Sequence, residues 1–333
     1  MTPNAALPNP PIPIIDISAF TSNVAQEARQ LTAQQLAKLG AKNGCVGISG
    51  HGVSSALLEE AFQVAHKFFD LPYEDKMKAP HPDGPIPHRG YSGSGRERAA
   101  NKTALETNDD YSNVADVKEI YELGSDKNTL QYNIWLPEHV LPGFRDFTTK
   151  LFWELHKTSQ AILEALIMSL DLTTEEADSV RSLNTGHENQ LRLLHYPAVP
   201  NPTNENSRLG AHTDWSLFTL LFQDDHGGLE FLDRQTNTFI PASPKDGVLY
   251  MNIGDMFQRL SNEFYASAMH RVVTRLGKTA PRYSIPYFAI PGPDDIVRPQ
   301  PSRVAVDGKQ VYEPVTFSEY SMKMFETINV YDT

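Results

Sequence analysis

The chain has a single cysteine, Cys45, so it can form no internal disulfide, and a reducing compartment is the expected setting. It contains no run approaching the roughly 20 apolar residues that span a bilayer. Residues 1 to 13 are rich in Pro, Asn and Ala and lack a basic stretch leading into an apolar one, so no secretory signal is expected there. Basic side chains are also scarce. There are 29 Lys and Arg against 41 Asp and Glu, a net charge of −12, which repels a polyanion and makes nucleic acid an unexpected partner. A small anionic ligand is still compatible, because one or two local Arg residues can hold a carboxylate. The expectation is a cytoplasmic protein, without a membrane partner, that acts on a small molecule.

The 333 residues, 40% of them hydrophobic and 21% charged, are enough to bury a substantial core. No internal repeat or long low-complexity linker divides them, so one domain is expected over residues 1–333. Within it, 1–12 would be a loose tail, 13–185 a mostly helical part, and 186–333 a β core with a C-terminal helix. Helical spacing of apolar residues marks 23–42, Ser54 to Asp70, Gly143 to Leu170, Thr174 to Leu183 and Thr316 to Ile328. Short strands are expected at Ile12–Ile17, Cys45–Ser49, Gln190–Tyr196, Leu217–Phe222, Gly228–Leu232, Val248–Asn252, Ser267–Thr274 and Tyr283–Ile290. Turn residues such as Lys245-Asp246-Gly247 separate them. The fold class is mixed α and β, with helices around a core of jelly-roll type. Residues 79 to 115, rich in Pro and Gly and then polar, read as a long connection. It is either a lid bearing Arg89-Gly90-Tyr91 and Gly95-Arg96 or a surface loop.

The chemistry concentrates in Gly210-Ala211-His212-Thr213-Asp214. On an extended segment, residues two apart point to the same side, so His212 and Asp214 can share one ion. Two His and one carboxylate form the facial triad of non-haem Fe(II) oxygenases. The missing ligand should be a His on a later strand, and His270 in Ser267–Val273 fits. Arg282 and Ser284 lie on one face of the next strand, where a guanidinium fork and a hydroxyl can receive the distal carboxylate of 2-oxoglutarate. Phe288 falls on the same face. Trp215 directly follows Asp214, so on an ideal strand its ring faces the other way and reaches the pocket only where the strand bends.

In this order the elements resemble the isopenicillin N synthase-like family of Fe(II)/2-oxoglutarate dioxygenases. The likeness spans nearly the whole chain. Pro13–Ser18, Gly50-His51-Gly52-Val53, Leu191–Pro197, Asn252-Ile253-Gly254-Asp255 and His270-Arg271-Val272 all carry it. Arg89–Ser92, Arg192–Val199, Leu220–Asp224 and Pro281–Ile285 are similar to fungal thymine 7-hydroxylases and to tailoring oxygenases of fungal secondary metabolism. The resemblance implies a distorted double-stranded β-helix. It also implies that His212, Asp214 and His270 bind iron, that Arg282, Ser284 and Tyr196 hold 2-oxoglutarate, and that Arg192, Trp215 and Phe288 face the substrate. Cofactors would be Fe(II), 2-oxoglutarate and dioxygen, with ascorbate as an assisting reductant. Aromatic rings with one Arg suit a flat, polar-edged molecule. Trp215, where those hydroxylases have Tyr, and the different stretch at 97–115 point away from thymine itself. The sequence alone leaves open a pyrimidine methyl hydroxylase, an iron oxidase independent of 2-oxoglutarate, a silent ligand-binding protein of the same fold and a zinc hydrolase. Oligomeric state, and the choice between hydroxylation, desaturation and ring chemistry, are not encoded in any motif.

Overall fold

Two antiparallel sheets face each other, and helices built largely from the first half of the chain cover the larger one. The computed structural model describes residues 11–22, 24–83, 88–95, 117–198, 207–274 and 280–327. The elements run β1 (Ile14–Asp16), α1 (Ser18–Thr21), α2 (Gln26–Gly40), β2 (Cys45–Ser49), α3 (Ser55–Phe69), α4 (Tyr73–Lys76), β3 (Gly90–Ser92) and β4 (Glu119–Gly124). Then follow α5 (Phe144–Ser169), α6 (Thr174–Ser182), β5 (Gln190–Tyr196), β6 (Ser207–His212), β7 (Phe218–Gln223), β8 (Leu229–Asp233) and β9 (Thr238–Pro241). The chain continues through β10 (Leu249–Ile253), α7 (Asp255–Leu260), β11 (His270–Val273), β12 (Arg282–Ala289), β13 (Ile296–Val297), α8 (Pro301–Asp307), β14 (Val315–Thr316) and α9 (Phe317–Thr327).

The helices start where side chains satisfy their first N–H groups. Ser54 accepts from the Leu57 amide at 3.2 Å to open α3, and Thr173 and Glu176 form a reciprocal capping box on α6. One face of α3 buries Ala61, Ala65, Phe68 and Phe69. The long α5 buries Leu151, Phe152, Leu155, Ile162 and Leu166 in the same cluster. Burying each such side chain contributes about 1.5–3 kcal/mol, which is why these helices are the most legible elements of the sequence.

The large sheet has eight strands in the order β1-β2-β10-β7-β12-β5-β4-β3, and the small one has four, β6-β11-β8-β9. β1 runs parallel to β2, and among the described residues the other strand pairs of these two sheets are antiparallel. Strands from the first half of the chain therefore extend the same sheet as β5, β7, β10 and β12. A second core lies between the sheets, with Leu194, Tyr196 and Leu221 from one and Leu229, Phe231 and Val272 from the other. This is the expected jelly-roll arrangement.

Several elements differ from the expected ones. Part of the 79–115 connection is strand β3, buried throughout and hydrogen-bonded to its own approach: Tyr91 N donates to Ala79 O at 2.7 Å and His81 N to Tyr91 O at 2.8 Å. Gly90 permits this because its φ is 82° and a Cβ there would meet Ala79 O at 2.7 Å. Arg89 and Tyr91 are both buried and face the interior rather than the pocket. The stretch 96–116, including Arg96, lies outside the described residues, as does the expected tail up to residue 10. β4 reads as polar because of its glutamates, β9 has four residues, β6 carries Arg, Gly and His among its six, and α7 and α8 are six and seven residues long. None of these has a periodic apolar signal.

Candidate active site

His212 ends β6 and His270 opens β11, and the two are register partners across the small sheet, with ring centroids 4.2 Å apart. The extended strand stops at His212, and Asp214 sits just past it. The fold nevertheless gathers all three. Asp214 Oδ1 is 3.8 Å from His212 Nε2 and 3.8 Å from His270 Nε2, and the ligand-type atoms all lie within 4.8 Å of one another. Each imidazole holds its Nδ1 against a backbone carbonyl two residues earlier, Gly210 O at 2.8 Å and Ala268 O at 3.0 Å. A carbonyl only accepts, so Nδ1 carries the proton and Nε2 presents its lone pair.

The carboxylate is equally constrained. Its Oδ2 accepts from Thr219 Oγ1 at 2.6 Å and Asn252 Nδ2 at 2.7 Å, which leaves Oδ1 for the two imidazoles. Burial pushes the Asp214 pKa up, but the two imidazoles and these hydrogen bonds outweigh it and hold the group below its usual range. For His212, burial and the neighbouring His270 outweigh Asp214 and keep the ring neutral. The segment Asp214–Leu217 is clamped to the end of β10. Gly254 N donates to Leu217 O at 2.9 Å, and a Cβ on Gly254 would meet Ser216 O at 2.1 Å, so this position accepts only glycine. Asn252 and Thr219 were missed as site residues. Asn252 did stand in the Asn-Ile-Gly-Asp motif, but its partner Asp214 lies 38 residues earlier in the chain.

On the facing sheet, β12 pairs Arg282 with Tyr196 and Ser284 with Leu194 of β5. Arg282 and Ser284 are 0% and 1% exposed. The guanidinium donates to Ser284 Oγ at 3.0 Å and Gln223 Oε1 at 3.2 Å and lies 5.0 Å from the Tyr196 ring centroid, while its Nε has no hydrogen-bond partner. Burial lowers its pKa, countered by Tyr196 and Asp224. A second buried guanidinium, Arg208, is close enough for its own pKa to be lowered by burial and then by Arg282. No motif flagged it, because it lies on β6, four residues before His212 and far along the chain from Arg282.

A cavity of about 470 Å³ opens beside the triad. His212, Asp214, His270, Tyr196, Arg192, Trp215 and Phe288 line it. Arg282 and Ser284 stand behind Tyr196 and do not line it. Trp215 reaches the wall because the strand has ended before it. The Arg192 guanidinium lies 5.3 Å above the Phe288 ring, and its Nε is 2.6 Å from Oε1 of Glu122, a fully buried carboxylate behind the wall. Sequence reading missed Glu122, and also Lys118 and Glu188, which line the cavity. Phe317, Ser318, Ser321 and Met322 of α9 complete the mouth. No described helix is long and apolar enough to cross a membrane.

Comparison with known proteins agrees with this geometry. Residues 12–138 match the family described as the N-terminal part of a non-haem dioxygenase in morphine synthesis, and residues 187–291 match the 2OG-Fe(II) oxygenase superfamily. A 2-oxoglutarate-dependent dioxygenase of Dothideomycetidae sp. (strain 11243) is 35% identical, over 96% of this chain and 98% of its own. A proline hydroxylase of Petromyces alliaceus is 34% identical, over 83% and 86%. The crystal structure of Neurospora crassa thymine 7-hydroxylase in complex with α-ketoglutarate and thymine superposes with a TM-score of 0.82 at 29% identity, covering 95% of this chain and 97% of that one. The chain belongs to the 2OG-Fe(II) oxygenase superfamily and is an Fe(II)- and 2-oxoglutarate-dependent dioxygenase.

Proposed function

We propose that His212, Asp214 and His270 hold the Fe(II), that Arg282, Ser284 and Tyr196 receive the distal carboxylate of 2-oxoglutarate, and that the enzyme oxidises a C–H bond of a small, flat, polar-edged molecule. The observation that carries the proposal is the division of labour on Asp214. Its Oδ2 is occupied by Thr219 and Asn252, while Oδ1 faces two imidazole Nε2 atoms at 3.8 Å. Two nitrogen lone pairs and one buried carboxylate oxygen, converging with no proton between them, fit a divalent ion. The 2-oxoglutarate site also fits, since a fully buried guanidinium with an unmatched Nε and a second guanidinium nearby calls for an anion.

Bound iron, with 2-oxoglutarate and dioxygen, supplies the oxidising power for the C–H bond, the 2-oxoglutarate leaving as succinate and carbon dioxide. The residues of this chain orient and exclude. Arg192, stacked on Phe288 and charge-matched by Glu122, offers donors to a polar edge without requiring a carboxylate. Leu209, Leu221, Leu229 and Val272 keep the wall apolar, and Trp215 flanks the metal side. Because β4 places Glu122 behind the cavity wall and Lys118, just before it, lines the same cavity as the later strands, residues 1–333 would act as one catalytic unit. Nucleic acid is not an expected partner of a chain with a net charge of −12.

The test is succinate release with Fe(II), 2-oxoglutarate and air, over a panel of neutral heteroaromatics, thymine and L-proline. Stimulation by a flat neutral compound, with Arg192→Met raising its KM at least tenfold at unchanged 2-oxoglutarate affinity, is the expected result. Stimulation by L-proline alone would overturn the substrate class.

A further inference from the structure

A second set of two imidazoles and a carboxylate lies outside the triad. His81 follows α4, His88 precedes β3 and Glu122 lies on β4. Their ligand-type atoms fall within 4.8 Å of one another. Glu122 Oε2 is 3.9 Å from His81 Nε2 and 3.8 Å from His88 Nδ1. These separations nearly repeat the 3.8 and 3.8 Å about Asp214 Oδ1.

The likeness extends to how the ligands are held. His81 Nδ1 sits 2.7 Å from the carbonyl oxygen of Pro82, so that nitrogen carries the proton and the lone pair of Nε2 faces Glu122, as at His212 and His270. Glu122 is 0% exposed. Arg192 Nε stands 2.6 Å from its Oε1 and orients the carboxylate, while Oε2, turned toward the imidazoles, has no hydrogen-bond partner. Both imidazole separations exceed hydrogen-bond reach, so a shared proton does not hold the three together. An ion about 2.0–2.2 Å from each ligand atom spans N···O separations up to about 4 Å. The donor set restricts which ion. Arg89 and Arg192 lie beside Glu122, and the set offers one carboxylate among two imidazoles, not the about six or more oxygens that hard cations take. Two nitrogens and one oxygen are the donor chemistry of zinc.

We propose that His81, His88 and Glu122 form a second divalent-cation site of zinc type, distinct from the triad. It would pin the chain between α4 and β3 to β4. Through Glu122 it would set the carboxylate that positions Arg192 in the substrate pocket. The site does not depend on how the triad is assigned.

The experiment uses the full-length chain carrying His212→Ala and Asp214→Ala, which leaves one triad ligand. After chelator treatment, zinc chloride is titrated with metal analysis of the washed protein and thermal melts. Co(II) serves as the spectroscopic probe of tetrahedral N/O ligation. The expected result is roughly one retained equivalent of zinc, a rise in Tm on zinc addition, and an at least tenfold loss of affinity when His88→Gln is added. His88 is partly exposed, so its replacement is the milder perturbation. Glu122→Gln, checked for folding by circular dichroism, should abolish binding. Absence of zinc binding by the triad-deleted chain, or binding indifferent to both His88→Gln and Glu122→Gln, would overturn the site.

Discussion

Asp214 keeps Oδ2 in hydrogen bonds and leaves Oδ1, the proposed metal ligand, facing the two imidazoles, and the residues that hold Oδ2 lie on two strands of the large sheet. Thr219 lies on β7 and Asn252 on β10, register partners in the large sheet. Removing such an orienting partner typically lowers metal affinity 10–100-fold. Asn252→Ala should therefore bind Fe(II) about 10–100-fold more weakly with an unchanged circular dichroism spectrum, read by anaerobic metal titration. Equal affinity would show that Asn252 does not orient the ligand. Arg282→Met should retain iron and weaken 2-oxoglutarate binding by roughly 30-fold or more, as loss of charge-assisted hydrogen bonds worth about 2–3 kcal/mol implies. Titration of 2-oxoglutarate into iron-loaded protein checks it, and a shift under threefold would remove Arg282 from the site. Arg282 and Ser284 were legible because residues two apart on a strand share a face, and His212 and Asp214 were legible from their spacing although the strand ends at His212. Glu122, Asn252 and Arg208 were not, because each acts on a partner far along the chain, and Thr219, five residues after Asp214, stands in no motif that marks it.

At the scale of elements, one half-buried carboxylate ties four of them together. Glu119 on β4 takes Lys76 Nζ of α4 at 2.7 Å and the Tyr91 hydroxyl of β3 at 2.5 Å on Oε1, and His195 Nδ1 of β5 at 2.7 Å on Oε2. Burial pushes its pKa up, but hydrogen bonds from His195, Lys76 and Tyr91 outweigh this and bring it down to about 2. A depressed folded pKa gives stability that is fully present above the unfolded carboxyl value, about 4.3. That stability is lost as pH falls from there toward about 2. The shift corresponds to a contribution on the order of 3 kcal/mol at neutral pH. Glu119→Gln should lower Tm at pH 7 and flatten the loss of stability between about pH 5 and pH 3. An acid profile parallel to the parent would contradict the assignment. Helices α3 and α5 could be read from their apolar periodicity, whereas β4 could not. Its alternation is carried partly by buried Glu122, and buried charge looks like surface in a sequence.

Across the whole molecule, the two sheets bring the triad at the end of the small sheet opposite Arg282 of the large sheet, with Arg208 reaching the guanidinium from β6, and α9 closes the mouth with Phe317 and Met322. Met322 is 61% exposed, so enlarging it perturbs the entrance rather than the core. Met322→Trp should raise the substrate KM several-fold while leaving Tm and 2-oxoglutarate affinity as in the parent. An unchanged KM would place the entrance elsewhere. The jelly-roll class followed from strand spacing together with the family resemblance. Strand order did not, since β6 pairs with β11 and β2 with β10 across long stretches of chain, and no local pattern encodes those partners.

The most direct measurement is the visible spectrum of metal-free protein to which Fe(II) and 2-oxoglutarate are added without oxygen, for the parent, Asp214→Ala and Arg282→Met. The expected result is a weak charge-transfer band in the parent that needs both additions. It should be absent in Asp214→Ala and, in Arg282→Met, appear only at much higher 2-oxoglutarate. A band of parental strength in Asp214→Ala, or no band in a parent protein that has bound iron, would contradict the assignment of the triad and of the 2-oxoglutarate site.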